Sequence, residues 1–367
     1  MEEVLYFQHL LFGLCVLPIY DREANSAAKE RLIAALRQGR LIGMTGAGLS
    51  AWAGYPVWNS ALRRLADLVA EITGDAQRGE QVIAQNMDML FCAQKLGQII
   101  GELEFSNFLL REFGPTGKLP PNVLLQFASL PLRHIVTLNF DLSCEEAHTV
   151  IQVPFRSQSS ASDELLLDFF RKMDIPEFPK TIFHLHGQFS DPLDKIALTE
   201  VGYQRLYTRS PLFLHHLENL MVSKSILFAG FGFTDSDVVN RFRETARLVR
   251  TELNNRQVHY HFAIIGLSGQ NGGQNDDRAM REFMSDRYLI DAVFYNTVEG
   301  ENPHAEFAEL MRELAEACGE GVPAALPAAV LPATALVAEV VDPRDVQRMQ
   351  TLNAGFLRRV EQDHEND

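Results

Sequence analysis

Cysteine is scarce in this chain. Cys15, Cys92, Cys144 and Cys318 stand far apart in 367 residues, and no C-x-x-C pair occurs. That spacing excludes a readable zinc ribbon and a disulfide framework, and it fits thiols kept reduced in a cytoplasm. Basic residues are also short: 33 Lys and Arg face 48 Asp and Glu, for a net charge of -15. The broad basic face that general binding to a phosphate backbone requires is therefore not expected, nor is direct general nucleic-acid binding. No apolar run has the length and continuity of a membrane span. Val4 to Tyr20 carries no Asp, Glu, Lys or Arg, but it is short and is interrupted by Gln8, His9 and Pro18. A secretory leader is not expected either, because Glu2 and Glu3 precede the run and no A-x-A site follows. Residues 1–25 read as a packed or self-associating arm. Internal repeats are absent.

The residues that are present describe an ordinary soluble protein, with 46% hydrophobic and 22% charged residues. Ala27 to Gln38 predicts a helix with Leu32, Ile33 and Leu36 on one face and Gly39 as a stop. Short apolar strands are predicted at Leu41–Met44, His134–Thr137, Thr181–Phe183, Ser225–Ala229, Val258–Ile265 and Ala292–Tyr295. Helical patterns separate them, and Ser157–Asp163 reads as a polar loop. The expected fold is α/β, a doubly wound, Rossmann-like parallel sheet, with a helical insertion mainly around Gln81–Leu130. Residues 26–318 form the main domain in this reading. An Ala/Pro-rich linker, with Pro323, Pro327 and Pro332, covers 319–341, and a helix with an acidic tail covers 342–367.

In open parallel sheets, ligands sit beyond the carboxyl ends of the strands. The polar clusters of this sequence fall at those ends: Gly46-Ala47-Gly48-Leu49-Ser50, Asn139 and Asp141, His186, and Gly230 with Gly232. Glycines let a backbone approach a bulky anion, and N–H groups at a helix start suit a diphosphate. Each residue alone also has a structural explanation. Asn139 can be a turn former, Asp141 and Asp235 helix caps, Gly230 and Gly232 relief from crowding. Trp58 suits a core or pocket wall, and Tyr203 a structural role. His184 and His186 share a strand face at spacing two, as do His259 and His261, but no third ligand completes a metal site. His184 fits a packed, hydrogen-bonded histidine.

The order of the motifs resembles the sirtuin series: Thr45-Gly46-Ala47-Gly48-Leu49-Ser50, Gly54-Tyr55-Pro56, Thr137-Leu138-Asn139-Phe140-Asp141, then His186-Gly187. The Pro56-Val57-Trp58 ending, the Leu198-Thr199 to Tyr203 segment and Gly230-Phe231-Gly232-Phe233-Thr234-Asp235 are more similar to sirtuin-like NAD hydrolases of bacterial antiphage defence than to protein deacylases. The resemblance covers roughly Ala27 to Leu314. Two departures weigh against deacylation: the four-cysteine zinc ribbon cannot be built, and Val57-Trp58-Asn59 stands where deacylases usually place Asp-Phe-Arg.

The resemblance implies an NAD glycohydrolase, with NAD as substrate and no metal. Gly46, Ala47, Gly48 and Ser50, with Gly230 and Gly232, would bind the dinucleotide. Asn139 and Asp141 would lie at the nicotinamide ribose, and His186 would be the base. It further implies an effector that drains cellular NAD in abortive infection, working as a homo-oligomer with a partner such as a HerA-type ATPase or a short Argonaute-like sensor. Three alternatives remain: a protein deacylase, an ADP-ribosyl cyclase or transferase, and a non-catalytic NAD- or ADP-ribose-binding regulatory subunit.

Overall fold

The computed structural model describes residues 20–85, 88–233, 235–252, 261–268, 277–297 and 304–319. Nearly all of the expected N-terminal arm, the expected linker after residue 319, the expected C-terminal helix with its acidic tail, Cys15, His259, Thr234 and residues 269–276 lie outside the described residues.

Among the described residues, seven strands form one sheet: β1 (Ile42–Thr45), β2 (His134–Thr137), β3 (Arg156–Ser159), β4 (Thr181–His184), β5 (Ile226–Ala229), β6 (His261–Ser268) and β7 (Ile290–Thr297). Their order is β3-β4-β2-β1-β5-β6-β7, and every pairing is parallel. Every residue of β1, β2, β4 and β5 is buried. Such strands are covered on both faces, which is why they read as continuous apolar runs rather than as alternating ones.

The two faces have separate cores. On one, Ile135, Ile182, Leu227 and Ala229 pack with Leu32 and Leu36 of the helix Arg22–Arg37, Phe127 of Asn122–Ser129, Ala147 of Ser143–Val150, and Met311 of Ala305–Ala317. On the other, Ile42, Met44, Val136, Phe183 and Phe228 meet Phe169, Leu206, Phe213, Phe242 and Met284, each from a different helix. Full burial of each such side chain contributes about 1.5–3 kcal/mol. Gly43 admits the close contact on the first face, since a Cβ there would stand 3.0 Å from Leu132 Cδ1 and 3.3 Å from Phe127 Cζ.

Two sequence expectations change. The edge strand β3 lies where a polar loop was expected at Ser157–Asp163. Its sequence, Arg-Ser-Gln-Ser, carries no apolar signal, and pairing with β4 makes it a strand. The helical insertion begins earlier than Gln81 and ends before Leu130. Helices Trp58–Thr73, Arg78–Gln85, Met89–Ile100 and Glu102–Phe113 surround a third core of Leu65, Val69, Leu96, Phe108 and Leu109, whereas Val123–Leu130 packs on the sheet. The insertion core also takes in Phe189, Ile196 and Leu198 from beyond β4, with Phe140 packed against it. Phe140 meets Phe113 edge to face at 5.5 Å.

β1 occupies the switch point. The chain passes from β1 to β2 on one side and later returns to place β5 on the other, so the loops beyond β1 and β5 stand at the position where open α/β sheets bind ligands. Those loops also touch. The Gly48 N–H donates to the Gly230 carbonyl at 3.0 Å, and Gly46 N–H to that of Ala229 at 3.4 Å. Gly230 has φ +59°, and a Cβ there would lie 2.2 Å from the Leu49 nitrogen. Replacing Gly230 by Ala therefore adds a backbone clash to left-handed strain of roughly 1–3 kcal/mol. Gly54, with φ +88° and nothing within 4 Å of a built Cβ, faces strain alone. Denaturant titration is expected to show a larger loss of stability for Gly230→Ala than for Gly54→Ala; equal losses would contradict the close packing of the two loops.

Candidate active site

Beyond β1 the chain makes one helical turn, Ala47–Ser50, and buries the Ser50 side chain. Ser50 Oγ donates to Asp141 Oδ1 at 2.9 Å, accepts from Asn139 Nδ2 at 2.7 Å, and lies 3.0 Å from Ser143 Oγ. Asn139 and Asp141 come from the loop beyond β2, whose Leu138 N–H donates to the Thr45 carbonyl of β1 at 3.1 Å. The Asn139 N–H is held by Thr137 Oγ1 at 3.1 Å. Asp141 Oδ1 also accepts from the Ser143 N–H at 3.0 Å, at the start of the helix Ser143–Val150. Asp141 thus binds the first N–H of that helix and the Ser50 hydroxyl with one oxygen. Burial pushes its carboxyl above the usual range, against the hydrogen bonds from Ser143 and Ser50.

Behind Asn139 lies a second polar chain. His184, the last residue of β4, is fully buried, with Nδ1 2.8 Å from the Asn139 carbonyl and Nε2 2.7 Å from Glu145 Oε1. Ser157 of β3 donates to the same Glu145 oxygen at 2.7 Å and accepts from Gln188 Nε2 at 2.7 Å. Burial opposes a charge on His184, yet the Glu145 carboxylate holds its imidazole above the ordinary value. Next along the helix, burial and then repulsion from Asp141 and Glu145 push Glu146 up to about 7.

His186 stands two residues beyond β4 with its own partners. Nε2 is 2.7 Å from the Tyr207 hydroxyl and 3.7 Å from Asp235 Oδ2. Tyr203 and Tyr207, one turn apart on the helix Glu200–Tyr207, stack at 4.4 Å, and the Tyr203 hydroxyl donates to Asp235 Oδ1 at 2.8 Å. Asp235 also accepts from the Val238 N–H at 3.1 Å, capping its helix. Burial lowers the His186 pKa, and Asp235 opposes that shift.

Asp235 follows β5 and His186 follows β4, with β2 and β1 between those strands. Their pairing therefore closes across the carboxyl edge that carries Asn139 and Ser50. The structure joins Ser50, Asn139 and Asp141 directly; His186 belongs to the neighbouring cluster on the same edge. Gly46, Gly48 and Gly230 form the contact between the β1 and β5 loops, Ala47 opens the helical turn, and Gly48 and Gly232 are exposed. Sequence reasoning missed Ser143, Glu145 and Tyr207. Helical spacing after Asp141, and the i, i+4 repeat of Tyr203, were the available signals. Among the described residues no group of three or more His, Cys, Asp or Glu could hold a metal ion, and no helix is long and apolar enough to cross a membrane.

His186 is expected to titrate below the ordinary imidazole value of about 6.5, as followed by its ring proton in NMR. Because Asp235 raises that value, Asp235→Asn, which can still cap its helix, should move the titration lower. Movement to higher pH would contradict the assigned pair.

Residues 133–286 match the SIR2-like domain family. Over 269 residues the chain is 25% identical to NAD(+) hydrolase ThsA of Acinetobacter baumannii (strain 532279), covering 71% of this chain and 49% of that protein. It is 25% identical over 224 residues to NAD(+) hydrolase ThsA of Cytobacillus dafuensis, covering 60% and 42%. With that of Bacillus cereus (strain MSX-D12) the identity is 23% over 197 residues, covering 53% and 37%. The chain thus spans about half or less of the length of these relatives. The family match begins just before β2, and the parallel sheet brings the glycine turn beyond β1 against it. The matched residues are similar to a SIR2-like domain and lie within the parallel α/β sheet that the strand pattern implied.

Proposed function

We propose that this chain hydrolyses NAD to ADP-ribose and nicotinamide. The observation that carries the proposal is the junction of Ser50, Asn139 and Asp141 at the switch point, with His186 on the same edge. The likeness to NAD(+) hydrolases over more than half of this chain supports it. Breaking the ribosyl–nicotinamide bond leaves its electron pair on nicotinamide and positive charge on the ribose. Water then adds to that carbon and gives up one proton, so the products are ADP-ribose, nicotinamide and H⁺.

Each residue type suits one part of this reaction. Gly46, Ala47 and Gly48, with Gly230 and Gly232, are the residues that would take the diphosphate beyond β1 and β5. The Asn139 amide, with a donor and an acceptor, orients water or a ribose hydroxyl. Ser50 fixes that amide. The Asp141 carboxylate stabilises developing positive charge. His186, kept neutral by burial, takes the proton. A role as an antiphage effector that depletes NAD, assembled with copies of itself or with a sensor partner, follows from the same reading.

Nicotinamide release from NAD by the purified chain tests it. Asn139→Ala and His186→Ala are each expected to lower the rate by about 100-fold or more while circular dichroism stays that of the folded protein. Near-full turnover in either folded variant would remove that residue from the mechanism. ADP-ribose as the product identifies hydrolysis; a cyclic product would replace it with cyclisation.

A further inference from the structure

Both ring nitrogens of His184 face acceptors that bring no proton of their own: a backbone carbonyl at 2.8 Å and a carboxylate oxygen at 2.7 Å. A neutral imidazole has one N–H and satisfies only one of them. The pair therefore holds an extra proton, with Nδ1–H donated to the Asn139 carbonyl and Nε2–H to Glu145. The site is sealed, since His184 and Glu145 are both buried, and Ser157, itself held by Gln188, donates to the same Glu145 oxygen that His184 meets. Asn139 is then gripped at three points: N–H by Thr137, carbonyl by His184, side chain by Ser50. We propose that His184 and Glu145 are positioning residues that set the Asn139 amide by clamping its backbone carbonyl. The inference rests on the hydrolase reading only for its effect on turnover; the clamp itself is a property of the folded chain.

Two substitutions separate this role from plain packing. In His184→Asn the amide nitrogen replaces Nδ1 and keeps the donor to Asn139 while losing Glu145. In His184→Gln the amide reaches toward Glu145 and loses the donor to Asn139. The readout is the pair of Asn139 side-chain amide resonances in asparagine-labelled protein, identified as those missing from Asn139→Ala. They are expected to move much further in His184→Gln than in His184→Asn. With turnover present, kcat should fall about 100-fold in His184→Gln at unchanged KM, as for a misplaced reacting group, and by less than tenfold in His184→Asn. Equal movement in both, or none, overturns the proposal.

Should those variants not fold, the pH dependence of the same resonances decides. Glu145 and Asp141 are the charged groups that raise His184. Loss of the shared proton at rising pH leaves an Nε2 lone pair facing the Glu145 carboxylate, so the Asn139 resonances should move in the wild-type chain. In Glu145→Gln, whose amide satisfies a neutral imidazole, that movement should vanish; its persistence overturns the clamp. Resonances that respond as expected, without nicotinamide release, would sink the hydrolase reading and leave the clamp standing. Release with unresponsive resonances would do the reverse.

Discussion

One hydroxyl joins the two halves of this site. Ser50 Oγ has one proton and two lone pairs, and all three are used: it donates to Asp141, accepts from Asn139, and shares a hydrogen bond with Ser143. The hydroxyl lies on the turn beyond β1, and its partners lie on the loop beyond β2. A buried polar atom without a partner costs roughly 1–3 kcal/mol, so the four side chains fix each other. The Asn139 amide is oriented because the atom it binds is itself saturated.

That junction depends on how closely the loops approach, which makes the glycines structural before they are anything else. Gly46, Gly48 and Gly230 pack backbone against backbone, with contacts of 2.9 Å or less from any built Cβ. The turn beyond β1 is thereby pinned from the β5 side while Ser50 ties it to the β2 side. The insertion adds a third constraint. Its core takes Phe189, Ile196 and Leu198 from the loop beyond His186, and Phe140 from between Asn139 and Asp141 packs against it. Packing in the insertion is thus transmitted to both polar loops.

The same edge concentrates buried ionisable groups, and their environments push them apart. Asp141 and Glu146 are held above the usual carboxyl range by burial, whereas His186 is held below its ordinary value. His184 goes the other way because a carboxylate touches it. Two histidines two residues apart are therefore pushed in opposite directions, one up by its carboxylate and one down by burial. Separation of this kind is a mark of functional sites, where neighbouring groups need different protonation states.

Much of this was legible in the sequence. Apolar runs such as Ile135-Val136 and Leu227-Phe228, separated by helical stretches, point to a parallel sheet covered on both faces. Polar residues just after those runs marked the carboxyl edge, where the structure holds Asn139 and Asp141 in one cluster and His186 in the next. The rest was decided by tertiary structure, because it depends on atoms far apart in the chain. β3 is a strand only because β4 lies beside it; Arg-Ser-Gln-Ser has no pattern of its own. The insertion's limits follow from which core each helix joins, and helices of similar amphipathic character joined different cores. Glu145 and His184 are 39 residues apart in the chain, and only the fold brings the carboxylate to the imidazole. Local periodicity reports which face of an element is buried; only the assembled sheet reports what that face meets.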